Sequence, residues 1–150
     1  MAWNSFKGIA ALIPAALSGS SALNAFCASN YGKGLTVRMG LKRREEIVIT
    51  ELPVMMVTIP EQKTAYGVGG LVERVYTVRL YCGFQQDDRV KAQDNLIDIE
   101  ELMEQALLND AALGAADIIV EPGSSVNDEG SLHPVYFLLK DLLINTEQRI

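Results

Sequence analysis

The chain has one histidine, two cysteines and one tryptophan in 150 residues. Each scarcity excludes some chemistry. A Ser-His-Asp or Cys-His arrangement would have to use His133, which stands in a polar stretch just before Pro134. The ordinary reading is a solvated or interface loop histidine. Cys27 and Cys82 are far apart and form no C-x-x-C pair. With one histidine they do not supply the four convergent ligands of a structural zinc site, and no disulfide framework is expected. Both are read as small buried hydrophobes in a cytosolic, or at least reducing, setting. No run approaches the ~18 uninterrupted apolar residues of a membrane span. The apolar stretch 9–17 after Lys7 has the outline of a targeting segment, but Pro14 breaks it and a single charge precedes it, so a folded segment is expected there. Acidic residues are missing from one region altogether. Residues 1–44 carry Lys7, Lys33, Arg38, Lys42, Arg43 and Arg44 with no Asp or Glu. Residues 45–150 hold the other seven basic residues and all 19 acidic ones. The overall charge of −6 argues against a bulk-basic nucleic-acid binder.

What is present suits one folded domain spanning 1–150. Hydrophobic residues make up 49% of the chain, enough to bury a core without disulfides or metal. Residues 4–17 and 20–29 read as two helices, the first capped by Asn4 or Ser5, because Gly8, Pro14 and the Ser18–Ser21 run make one long helix poor. A turn at 30–34 follows, then the charge cluster 42–46. Ile47–Thr50 reads as a short strand, and 54–59 as a strand bounded by Pro53 and Pro60. Residues 61–70, with three glycines, read as a flexible hairpin loop. The clearest strand is 71–84. Val72, Tyr76, Val78, Leu80, Cys82 and Phe84 share one face with Arg74, while Glu73, Thr77 and Arg79 share the other. Asp87-Asp88 caps a helix over 88–109, with Ala92, Leu96, Ile99, Met103 and Ala106 as its apolar stripe and Asp94, Asp98, Glu101 and Gln105 opposite. Residues 116–121 read as a strand and 122–134 as a polar loop. For 135–149, Val135, Leu138, Leu139, Leu142 and Leu143 also fit a helix. A strand is preferred because 116–121 would otherwise lack a partner. The expected fold class is α+β, a mostly antiparallel or mixed sheet of four to five strands packed against an N-terminal helix and a central amphipathic helix.

Candidate chemistry is sparse. Gly67-Val68-Gly69-Gly70 precedes a strand, whereas phosphate loops follow a strand and open a helix, so a hairpin tip is expected. Asp98, Glu100, Glu101 and Glu104 resemble paired carboxylates, but their spacing scatters them around an exposed helix side, and a solvated face is the stronger reading. Asn127-Asp128-Glu129-Gly130 has turn composition without calcium-loop spacing. Lys42-Arg43-Arg44 is ordinarily a solvated cluster, with a phosphate-contacting patch as the alternative.

The element order, with Glu51–Val57 (E-L-P-V-M-M-V), Val75–Cys82 (V-Y-T-V-R-L-Y-C), Leu96–Leu102, Val135–Phe137 and Ile144–Glu147, resembles the tail terminator (tail completion) proteins of tailed bacteriophages over most of residues 45–150. Residues 1–44 correspond only as a leading helix. The resemblance implies a structural virion protein that forms a ring, commonly a hexamer, on the head-proximal end of the tail tube. The ring ends tube polymerisation and presents the surface that joins the head-tail connector. It also implies no catalysis, no cofactor and no metal. The implied partners are further copies of the chain, the tail tube protein and the connector, with DNA only passing through the lumen and no membrane involved. The implied location is the virion tail, after assembly in the host cytoplasm. The expected inter-subunit or partner contacts are Lys42, Arg43, Arg44, Lys63, Tyr66, Gly67, Gly69, Gly70, Asn127, Asp128 and Glu129. The 61–70 and 122–134 loops are expected to order on a partner.

Two alternatives stay open: another phage neck or head-completion component, and a small ligand-binding domain or enzyme using the acidic helix and the 122–134 loop. The charge split itself suggests subunit pairing, basic part to acidic part. If Lys42, Arg43 and Arg44 engage a neighbour's acids, assembly measured by light scattering weakens with rising salt, as the screening length shrinks below ~8–10 Å. Charge reversal at the three positions then weakens it further.

Overall fold

A computed structural model describes residues 6–108 and 118–149. Two helices come first, α1 (Phe6–Ser18) and α2 (Ser21–Tyr31), meeting at a 49° bend. Ser20 starts the second, its side chain accepting from the Leu23 N–H. The proposed cap at Asn4 or Ser5 lies outside the described residues. The helices bury Ile9, Ile13, Leu17, Leu23 and Cys27 in the core. Among the described residues no single helix is long and apolar enough to cross a membrane.

The strands are β1 (Thr36–Met39), β2 (Val54–Tyr66), β3 (Leu71–Gln85), β4 (Ile118–Asn127) and β5 (Val135–Arg149), and helix α3 spans Arg89–Leu108. They form one five-stranded mixed sheet in the order β1-β2-β3-β5-β4, parallel only between β1 and β2. The fold is thus α+β, as expected. β3 and β5 pair along their whole length, from Leu71 opposite Arg149 to Gln85 opposite Val135. The 135–149 segment is therefore a strand. The alternation read in β3 is observed: Val72, Tyr76, Val78, Leu80, Cys82 and Phe84 are buried. All three helices lie on that face. Ala92, Leu96, Ile99, Met103 and Ala106 of α3 are buried against it, joined by Asn95 and Leu107. Asp88 Oδ1 accepts from the N–H groups of Val90 and Lys91, the cap expected of it. Residue 109 lies outside the described residues.

Three expectations are corrected. Residues 47–50 are not a strand. Short 3₁₀ turns at Arg44–Glu46 and Ile49–Glu51 close their bonds locally, Glu51 N–H donating to Val48 O and Leu52 N–H to Ile49 O. The ladder position beside β2 goes instead to Thr36–Met39. Second, residues 61–66 are strand rather than loop. β2 runs past Pro60 by a register shift between Thr58 and Glu61 and pairs on to Tyr66 opposite Val72. Pro60 is tolerated because β1 covers only Val54–Val57, so Pro60 stands where β2 is a free edge. Third, the loop expected at 122–134 begins only at 128, because β4 continues to Asn127 through a shift between Pro122 and Ser125. The strand residues expected at 116–117 lie outside the described residues. Gly123 fits this bulge because a Cβ there would meet the Asp141 carbonyl oxygen at 2.6 Å. At the β2–β3 turn Gly69 and Gly70 take φ of 73° and 78°, which side chains disfavour.

Leu80 is fully buried at the centre of β3, whereas Glu101 lies on the exposed side of α3. Leu80→Ala is expected to cost about 2–5 kcal/mol in urea unfolding, and Glu101→Ala to stay within about 0.5 kcal/mol.

Candidate functional site

The helix-free face of the sheet carries a concavity lined in part by residues proposed from sequence. After Met39, Gly40 donates to Val57 O at 2.8 Å and the chain crosses to this face. There Leu52, Val54 and Met56 form a second small core with Ile47, Tyr81 and Val135. Lys33 donates to the Thr50 carbonyl and holds the 49–51 turn. Between this crossing segment and the loop end of β4 and β5 lies a groove of about 460 Å³. Its floor is apolar, from Met56, Tyr81, Phe137 and Leu139, and its rim carries Lys42, Arg43, Glu45 and Asp128.

The groove brings four of the proposed contacts together: Lys42, Arg43, Asn127 and Asp128. Lys42 Nζ lies 2.6 Å from Glu51 Oε1, and that hydrogen bond holds the Glu51 carboxyl below its ordinary range. Arg43 pairs loosely with Glu46 at 3.6 Å. These two basic residues therefore meet acids of the same chain, Glu51 and Glu46, a few positions on. The 127–130 segment is the turn its composition suggests. Asn127 Oδ1 accepts from Glu129 N–H, Glu129 adopts φ 55°, and Asp128 Oδ1 accepts from Gly130 and Phe137. Glu129 belongs to that same turn and Arg44 starts the Arg44–Glu46 turn; the other five proposed contacts lie elsewhere. Lys63, Tyr66, Gly67, Gly69 and Gly70 are exposed on the β2–β3 hairpin. Its Leu71 end pairs with Arg149, whereas the groove lies near the Cys82–Leu138 pair, eleven residues along β3. That separates the two by roughly 36 Å along the strand.

The acidic helix departs from its sequence reading. Asp98 and Glu101 are exposed, but Glu100 and Glu104 converge on Lys140 of β5. Lys140 is 2% exposed, with Nζ 2.6 Å from Glu104, 3.3 Å from Glu100 and 3.1 Å from Gly123 O. Ser125 Oγ donates to Glu100 at 2.7 Å. Burial disfavours the ammonium, but the hydrogen bonds to the two carboxylates outweigh that and hold its pKa above 10.5. The cluster ties α3 to β5 and β4, and the sequence reading missed it. The signal was present, because Lys140 falls on the buried parity of β5 with Leu138 and Leu142.

The other candidates are placed as follows. His133 Nδ1 lies 2.6 Å from Tyr136 Oη, with the rings edge to face. Cys27 and Cys82 are free and buried, and burial pushes both thiols up, Cys27 to about 11, away from nucleophilic thiolate chemistry. Among the described residues no group of three or more His, Cys, Asp or Glu is placed to hold a metal ion.

Lys140→Ala strands two partly buried carboxylates and is expected to cost about 3–5 kcal/mol in denaturant unfolding. Because the native pKa of Lys140 is raised, its contribution is complete below about pH 10.5 and is lost as pH rises through the native value. A Lys140→Met chain is expected to unfold without that alkaline loss. Compared with models of protein families and with curated proteins, the chain matches none.

Proposed function

We propose that this chain is a structural virion protein of the tail-terminator kind, a ring-forming cap on the head-proximal end of a phage tail tube. The observation that carries the proposal is the one-sided sheet. Three helices cover one face, while the other face is covered only at its β1 end by the 40–53 crossing, and both sheet edges stay open among the described residues. Ile119 and Val126 are 57% and 66% exposed there, and Tyr66 and Val68 are 81% and 95% exposed at the hairpin. Such unpaired edges and clustered apolar surface suit a subunit completed by its neighbours. A ring also needs two different contact patches per subunit, and the opposite edges of an open sheet are two such patches.

The segments that carry the family resemblance fall on the framework of this surface. Residues 51–57 lead into β2, 75–82 form the middle of β3, 96–102 lie in α3, and 135–137 and 144–147 lie in β5. The reading as an enzyme or ligand-binding domain has less support. Glu100 and Glu104, the carboxylates that do converge, are occupied by Lys140.

Mass photometry of the purified chain, alone and with tail tubes, is expected to show a discrete ring, most simply a hexamer. Electron microscopy is expected to show it at one tube end. Loss of the gene is expected to give overlong tails. Normal tails that fail to join heads would identify a neck or head-completion component instead. Turnover lost in an Asp98→Asn, Glu101→Gln chain that still assembles would identify an enzyme.

A further inference from the structure

The two edges of the sheet match each other. Among the described residues β4 pairs only with β5, and β2 beyond Thr58 pairs only with β3, so one side of each strand is free. The ladders place these free stretches at one height. Lys63 stands opposite Val75, Val75 opposite Asn145, and Asn145 opposite Ile119. Each of the three ladders between them is antiparallel, so β2 and β4 run in opposite directions. A second copy set beside the first therefore offers its β4 antiparallel to the free half of β2.

We infer that the ring proposed above closes by β-sheet continuation, Lys63–Tyr66 of one copy pairing antiparallel with Ile118–Glu121 of the next. This inference rests on the ring reading. Charge complementarity selects both the occupant and the register. Lys63 is the only basic residue between Arg44 and Arg74, it is 78% exposed with its Nζ 3.1 Å from the exposed Glu61 carboxylate of the same strand, and it lies on the helix-free face. Glu121 is exposed on the same face of the opposite edge. Pairing at equal height sets Glu61 against Glu121, and directly opposed like charges destabilise a ladder. A two-residue stagger sets Lys63 against Glu121 instead. It also sets Thr64 against Val120 and Tyr66 against Ile118, an aromatic and β-branched pair. Stagger of this kind accompanies closure of a sheet into a ring. Prolines bound the stretch, Pro60 before it on β2 and Pro122 after it on β4. Neither can donate to a ladder, which confines the pairing and discourages open-ended aggregation.

The test is a disulfide between directly opposed residues, whose Cα atoms lie about 4.5–5.5 Å apart in such a ladder and so within disulfide reach. The chain carrying Thr64→Cys and Val120→Cys, mildly oxidised, is expected to give a ladder of covalent multimers on non-reducing gels. A mixture of the two single variants is expected to stop at dimers. Separately, Lys63→Glu is expected to lower the ring fraction several-fold in mass photometry, and adding Glu121→Lys to restore it. No covalent ladder together with ring fractions indifferent to both charge changes, while the wild-type chain still forms rings, overturns the edge pairing and leaves the ring reading standing. A wild-type chain that neither forms rings nor caps tubes overturns both.

Discussion

The pairing of β3 with β5 sets the position of everything else. It is the longest ladder in the molecule, and both strands alternate in step, with Val72, Tyr76, Val78, Leu80, Cys82 and Phe84 facing the same side as Tyr136, Leu138, Leu142 and Ile144. A strand has a side-chain period of two, so this double alternation makes one face far more apolar than the other. The helices go to that face because their own stripes need it. β2 and β4 then take the two remaining sides of the pair. The one-sided architecture follows from a single register.

The other face is treated differently. The 40–53 crossing covers only its β1 end, with Leu52, Val54 and Met56 as a small second core. Exposed Val126 borders the groove beside it, and farther along the face carries the Arg79–Asp141 bridge at 2.9 Å together with exposed Ile119. The proposed assembly uses this unfinished part of the molecule. The basic N-terminal part has a local role as well. Lys33, Lys42 and Arg43 are engaged by the Thr50 carbonyl, Glu51 and Glu46 of the same chain. The basic part of the charge split thus helps hold the crossing segment in shape and ties it to the end of α2, in addition to any role toward a neighbour.

Several elements were legible because their signal is local. The alternation of β3, the stripe of α3, the Asp88 cap and the split of the N-terminal region at Ser18–Ser21 all follow from spacing or from one residue's hydrogen bonding. What was misread depended on neighbours distant in sequence. Pro60 and Pro122 looked like strand ends, but a proline ends a strand only where its missing N–H is needed, and both sit beside register shifts on free edges. Ile47–Thr50 has strand composition, yet the edge position beside β2 went to Thr36–Met39, which a run of four residues hardly announces. Glu100 and Glu104 were read as solvated because their partner Lys140 lies forty and thirty-six positions away.

The proposed site divides the same way. Lys42 and Arg43 meet Asn127 and Asp128 at one groove, while Lys63, Tyr66 and the hairpin glycines lie at the far end of the sheet. Residue spacing alone fixes the α+β class, helix α3, strand β3 and most of their buried residues, because period and capping are properties of neighbouring residues. Which strands are edges, which carboxylates are free and which of the proposed contacts share a surface emerge only from the folded chain. Those depend on strand order, and strand order is a property of the whole chain.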